Sequence, residues 1–126
     1  MNLELARPGL GRLDNSMRLH LLDVNVADAA VLVDAARLRE ILSGAALDGG
    51  ATVVADAFHV FPNGGVTGVL VLAQSHLSIH TWPELLLANV DLLSYGSVDG
   101  ATVMAKIADA IGATSSRFET VERRPT

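Results

Sequence analysis

Four side chains able to do chemistry, Ser75, His76, Ser78 and His80, crowd into the stretch Gln74-Ser75-His76-Leu77-Ser78-Ile79-His80-Thr81-Trp82-Pro83-Glu84. A largely apolar run, Val66 to Ala73, leads into it, and a second, Leu85 to Leu93, leaves it. Burying so many polar groups costs free energy unless each finds a partner. The cluster is therefore a candidate site.

Three chemistries compete for it. The first is none: a strand with one polar face, Ser75, Leu77 and Ile79 pointing one way and His76, Ser78 and His80 the other. The second is a metal, since His76 and His80 have the i, i+4 spacing of a helical ligand pair. The β-branched Ile79 and Thr81 and the following Pro83 favour a strand instead, along which four residues span roughly 13 Å. Two ligands of one ion must each come within about 2 Å of it, and His59 could join only one of them, so no metal is expected. The third is a serine that attacks its own backbone. A hydroxyl beside a strained carbonyl captures the acyl group as an ester, and a base then eliminates that ester, cutting the chain before the serine and leaving an N-terminal pyruvoyl group. This chemistry needs a Ser at a strand end, a His within reach and a second hydroxyl to steady the oxyanion. Ser75, His80 and Thr67 are the residues available. Alternation sets Ser75 and His80 on opposite faces, so a turn or bulge at Ser75 is required.

The string S-H-L-S-I-H-T-W-P-E at Ser75 to Glu84, with F-H-x-F-x-x-x-G-V-x-G at Phe58 to Gly68, resembles the prokaryotic S-adenosylmethionine decarboxylase proenzymes, the pyruvoyl enzymes of polyamine and spermidine synthesis. The match runs without gaps from about Ala51 to Gly96 and more loosely from Arg18 onward. It implies cleavage between Gln74 and Ser75 of a zymogen, giving chains 1–74 and 75–126, the second beginning with a pyruvoyl group self-derived from Ser75. Such a group forms a Schiff base with a substrate amine and takes up the electrons released as CO₂ leaves. The resemblance also implies that His80 assists processing, that Thr67 supplies the hydroxyl the family usually takes from Ser, and that Phe61 stacks on the substrate's adenine. Glu84 matches the motif acid. It further implies a homodimer of processed chain pairs with its sites near the interface.

The departures from the pattern are informative. Gln74 replaces the usual Glu and removes one negative charge. Tyr95 stands where the family has the cysteine that returns a proton to the substrate carbon. A phenol keeps a proton to donate at neutral pH but is bulkier than a thiol. Leu85-Leu86-Leu87 and Asn25-Val26-Ala27 replace aromatic-rich segments. The processing residues are kept and the pocket is altered. S-adenosylmethionine is thus the default substrate, L-ornithine or L-arginine an alternative, and a non-catalytic binding or regulatory paralogue another.

Composition bounds these readings. With 126 residues the chain suits a single domain, and a dimer would help it bury apolar surface. A net charge of −5 offers no basic footprint for nucleic acid. There are no cysteines, which fits a cytoplasmic protein, and neither a signal peptide nor a membrane span is apparent.

The elements that must position the site follow from periodicity. Residues 1–16 read as a loose lead-in. Arg18 to Val26 reads as a first strand, and Asp28 as the cap of a helix over Ala29 to Leu47, with Val31, Leu32, Ala35, Leu38, Ile41 and Leu42 at helical spacing. Ala51 to Phe61 and Val66 to Ala73 form a hairpin about Pro62-Asn63-Gly64-Gly65. The unbroken apolarity of the second arm predicts that both its faces are covered. Leu86 to Ser94 and Ser116 to Arg123 read as strands flanking a helix from Asp99 to Ile111. The expected architecture is α+β, a two-layer sandwich of a mainly antiparallel sheet with two helices on one face.

Overall fold

A computed structural model describes residues 17–124. The lead-in expected over residues 1–16 lies outside the described residues. The chain runs β1 (Met17–Val26), a 3-10 turn (Ala29–Val33), α1 (Ala35–Asp48), β2 (Val53–Val60), β3 (Val66–Leu72), β4 (Ser75–Trp82), a second 3-10 turn (Pro83–Leu85), β5 (Leu87–Tyr95), α2 (Gly100–Ile111) and β6 (Ala113–Arg123). One sheet holds all six strands in the order β2-β3-β4-β5-β1-β6, with every neighbouring pair antiparallel. The expected α+β sandwich is what forms.

Both helices lie on one face of the sheet. From α1, Leu38, Ile41, Leu42, Ala45 and Ala46 point inward, and from α2, Val103, Met104, Ile107 and Ile111. They meet the alternate residues Leu22, Val24, Leu70, Leu77, Ile79, Val90 and Leu92 of the central strands. Each such Val, Leu, Ile or Met side chain contributes about 1.5–3 kcal/mol by leaving water. Period-2 alternation in the strands is what makes a single apolar face available.

The helix expected from Ala29 is divided. Asp28 accepts from the Ala30 amide but caps the 3-10 turn, and Asp34 accepts from the Arg37 amide and caps α1 proper. A second capping aspartate within the run offers its own start, and the chain turns there. That 3-10 turn is tied to the site strand by Thr81. Its buried hydroxyl donates to the Leu32 carbonyl at 2.7 Å and accepts from the Val66 amide at 2.9 Å.

The other correction concerns β3. The helices cover one face only, and Val71 on the opposite side is 46% exposed. By alternation the open face carries Val69 and Val71 of β3, His76, Ser78, His80 and Trp82 of β4, Leu93 of β5 and Leu19 and Leu21 of β1. Among the described residues neither helix lies over them.

Candidate active site

The hairpin joining β3 to β4 turns at Ala73 and Gln74, with Leu72 paired to Ser75. Gln74 has φ of 61°, the left-handed region that side-chain-bearing residues rarely adopt. Holding it there costs on the order of 1–2 kcal/mol. The next residue is Ser75, whose Oγ is buried with no hydrogen-bond partner. An unpaired buried hydroxyl is costly too. A strained peptide and an unsatisfied nucleophile are thus adjacent in the chain, which is the arrangement an acyl shift onto the serine requires.

At the far end of β4 the groups are densely linked. Thr67 and His80 face each other across β3 and β4, Thr67 Oγ1 lying 2.7 Å from His80 Nδ1. The imidazole meets the Trp82 ring edge-on at 4.3 Å between centroids and the Phe61 ring at 6.1 Å, and Phe61 in turn meets His59 at 4.7 Å. Glu84, in the turn after β4, accepts a long 3.5 Å hydrogen bond from Asn63 Nδ2, which joins it to the neighbouring hairpin. Thr67, His80 and Phe61 are therefore brought together as expected, with Glu84 close by in the chain.

Ser75 is not brought to them. The register runs without a shift from Leu72↔Ser75 to Thr67↔His80. The turn at Gln74 ends before Ser75, and the bulge that would bring Ser75 to the face of His80 is absent. Five residues of straight strand put roughly 16 Å between the two positions, on opposite faces. Tyr95, paired with Met17 at the end of β5, lies at the Ser75 end of the sheet and by alternation on its open face. The i, i+4 pair His76 and His80 sits on a strand, so the helical ligand geometry does not arise. Among the described residues no three His, Asp or Glu side chains are grouped to hold a metal.

Two constellations escaped the sequence reading. On the helix side, His20 is buried with Nε2 2.9 Å from Ser94 Oγ and Nδ1 3.1 Å from Thr120 Oγ1. Gly100 begins α2 against this ring, and a Cβ there would collide with the imidazole. Burial pushes the His20 pKa below its ordinary 6.5, Arg18 adds to that, and Asp99 opposes it. On the open side, Asn89, Asp23 and Arg117 continue the row of Thr67 and His80 across β5, β1 and β6. No sequence period marks either group, because each is assembled by cross-strand register.

The chain as a whole is similar to known proteins. The family model for S-adenosylmethionine decarboxylase matches residues 18–124. An S-adenosylmethionine decarboxylase proenzyme of Caldanaerobacter subterraneus subsp. tengcongensis is 38% identical over 110 residues, covering 83% of this chain and 89% of the relative. A proenzyme of the same name from Acetivibrio thermocellus is 43% identical over 83 residues, covering 65% and 67%. The crystal structure of the adenosylmethionine decarboxylase from Aquifex aeolicus superposes with a TM-score of 0.78 at 30% identity, covering 90% of this chain and 93% of that one.

Proposed function

The chain belongs to the S-adenosylmethionine decarboxylase family, and we propose on that footing that Ser75 is the serine from which it makes its pyruvoyl group. Members are self-processing, pyruvoyl-dependent carboxy-lyases. The observation that carries the assignment is the unpartnered, buried Ser75 Oγ beside left-handed Gln74. Ser75 Oγ adds to the Gln74 carbonyl carbon, the Gln74–Ser75 amide bond breaks, and the hydroxyl proton ends on the Ser75 nitrogen. A base then removes the Ser75 Cα proton as the Gln74 carboxylate departs. Water replaces the nitrogen, which leaves as ammonia, and residues 75–126 begin with a keto acyl group. That group supplies an electron sink for the pair left behind when CO₂ is lost.

His80 is the base of the elimination, and the Thr67 hydroxyl donates to the oxyanion. The separation along β4 places these two residues beyond reach of Ser75 in the same chain. They reach it from a second copy. Two open sheet faces packed against each other, strands reversed, bring the His80 end of one over the Gln74–Ser75 hairpin end of the other and cover Val69, Val71, Leu19 and Leu93. Ser75 points to the helix side, so its Oγ reaches the partner's groups by turning at that hairpin end. A homodimer of processed chain pairs thereby satisfies both the apolar face and the incomplete site. Phe61 and Glu84 line the substrate side, and Tyr95 donates the proton that replaces CO₂. The substrate is S-adenosylmethionine, as the relatives' names support, and the setting is the cytoplasm. None of the described helices is long and apolar enough to cross a membrane.

Intact mass spectrometry and mixing test this together. The wild-type chain separates into fragments 1–74 and 75–126, and Ser75→Ala stays whole. Co-refolded Ser75→Ala and His80→Ala chains recover cleavage in the His80→Ala partner only, since that partner keeps Ser75 and borrows an intact His80. No cleavage of wild type overturns the Ser75 assignment, and no recovery on mixing overturns the shared site. CO₂ release from S-adenosylmethionine, ornithine and arginine measured side by side then fixes the substrate. Release confined to a basic amino acid overturns S-adenosylmethionine.

A further inference from the structure

His80 does not stand alone on the open face. It is the middle of a row, His59–Thr67–His80–Asn89–Asp23–Arg117, that takes one residue from each of the six strands. From Asn89 outward the row is a chain of directed hydrogen bonds. Arg117 Nη2 donates to Asp23 Oδ2 at 3.1 Å, Asn89 Nδ2 donates to Asp23 Oδ1 at 2.8 Å, and Trp82 Nε1 donates to Asn89 Oδ1 at 2.6 Å. The directions are forced from both ends. An ionised carboxylate only accepts, and an indole N–H only donates, so the Asn89 amide has one orientation that satisfies both.

The consequence falls on Trp82 and then on His80. Trp82 is 38% exposed in the single chain, so packing within the chain leaves its ring free to choose among rotamers. The bond to Asn89 selects one, and in that rotamer the indole stands at 4.3 Å and 62° against the imidazole. With Thr67 Oγ1 on its Nδ1 side, the His80 ring is held between a hydroxyl and an indole wall. We propose that Asn89, oriented by Asp23 and Arg117, is a positioning residue that sets the His80 imidazole through Trp82. This rests on the processing role given to His80 above. It assigns work to residues outside the motif in sequence, and it gives a role to the short hydrogen bond from Trp82 to the Asn89 amide on the next strand.

The clamp predicts non-additivity. Trp82→Phe keeps a ring beside His80 but removes the N–H that Asn89 receives. Asn89→Ala removes the receiver. If both act through one bond, each slows self-cleavage by about tenfold, a modest share of what misplacing a catalytic group can cost, and the double variant is no slower than either alone. A second readout is independent of cleavage. Trp82 is the only tryptophan of the chain, so time-resolved fluorescence anisotropy reports its ring alone. Asn89→Ala adds a fast depolarising motion, and Asp23→Asn, which keeps the shape but lets the Asn89 amide flip, adds a smaller one. Rate losses that multiply in the double variant, or an Asn89→Ala indole as rigid as wild type, overturn the proposal. Should the wild-type chain fail to cleave at all, the role of His80 fails with it, while the anisotropy still decides whether the clamp exists.

Discussion

The two ends of β4 are built on opposite principles. At the His80 end the polar groups are linked to one another: Thr67 bonds the imidazole, Asn89 bonds Trp82, and Thr81 closes onto Leu32 and Val66. At the Ser75 end the hydroxyl is buried and bonded to nothing, and the residue before it is held in a left-handed conformation. A protein normally avoids such a combination, because both features cost stability. The contrast teaches where free energy is held in reserve. Under the proposed function the engaged end acts and the unsatisfied end is acted on.

The largest expected effect bears on Tyr95, which shares the Ser75 end of the sheet. If the reacting end is completed by a proton donor there, Tyr95→Phe keeps the ring and loses only the proton. That variant cleaves normally yet loses about 10²- to 10⁴-fold in turnover, the usual worth of a positioned acid. Steady-state CO₂ release checks it, and turnover equal to wild type would show that the two ends differ in processing alone.

A smaller and more direct test is the sign of two stability changes. Ser75→Ala removes an unsatisfied hydroxyl and raises the unfolding free energy of the uncleaved chain by about 1 kcal/mol, whereas Thr67→Val strands His80 Nδ1 and lowers it by about 1 kcal/mol. Urea unfolding of both, with Thr67→Val built on the uncleavable Ser75→Ala chain, reads the difference. Two changes of the same sign would erase the contrast.

The smallest effect comes from the histidine on the other face. Because burial lowers the His20 pKa below 6.5, the unfolded chain binds the proton more readily than the folded one. Stability is then full above about 6.5 and falls as pH drops below it, until the folded ring is itself protonated. Thermal unfolding of the uncleavable chain between pH 7.5 and 5 shows this decline, and His20→Leu flattens it. An unchanged slope in His20→Leu would move the effect elsewhere.

Much of this was legible in the residues themselves. Alternation along the strands, the turn at Pro62 to Gly65 and the helix from Asp99 to Ile111 are local properties, set by which conformations and hydrogen bonds a short stretch can satisfy by itself. The motif at Ser75 to Glu84 likewise carried the chemistry in its own string. Local reasoning misplaced the start of α1, because Asp28 and Asp34 are both competent caps and only the Thr81 bond to Leu32 favours a 3-10 turn between them. It also asked for a bulge at Ser75 that the sheet does not contain.

What tertiary structure alone decided is register and coverage. Asn89, Asp23 and Arg117 are separated by 66 and 94 positions along the chain, and His20 lies 74 positions from Ser94. Nothing in the spacing of such residues says that they meet, because which residue faces which across a sheet is settled by the packing of all six strands against the helices at once. The same holds for the open face. The sequence determined that β3 is apolar on both sides, but only the placement of both helices on one side left the other without a helix over it, and the unshifted β3–β4 register is what holds Ser75 apart from His80.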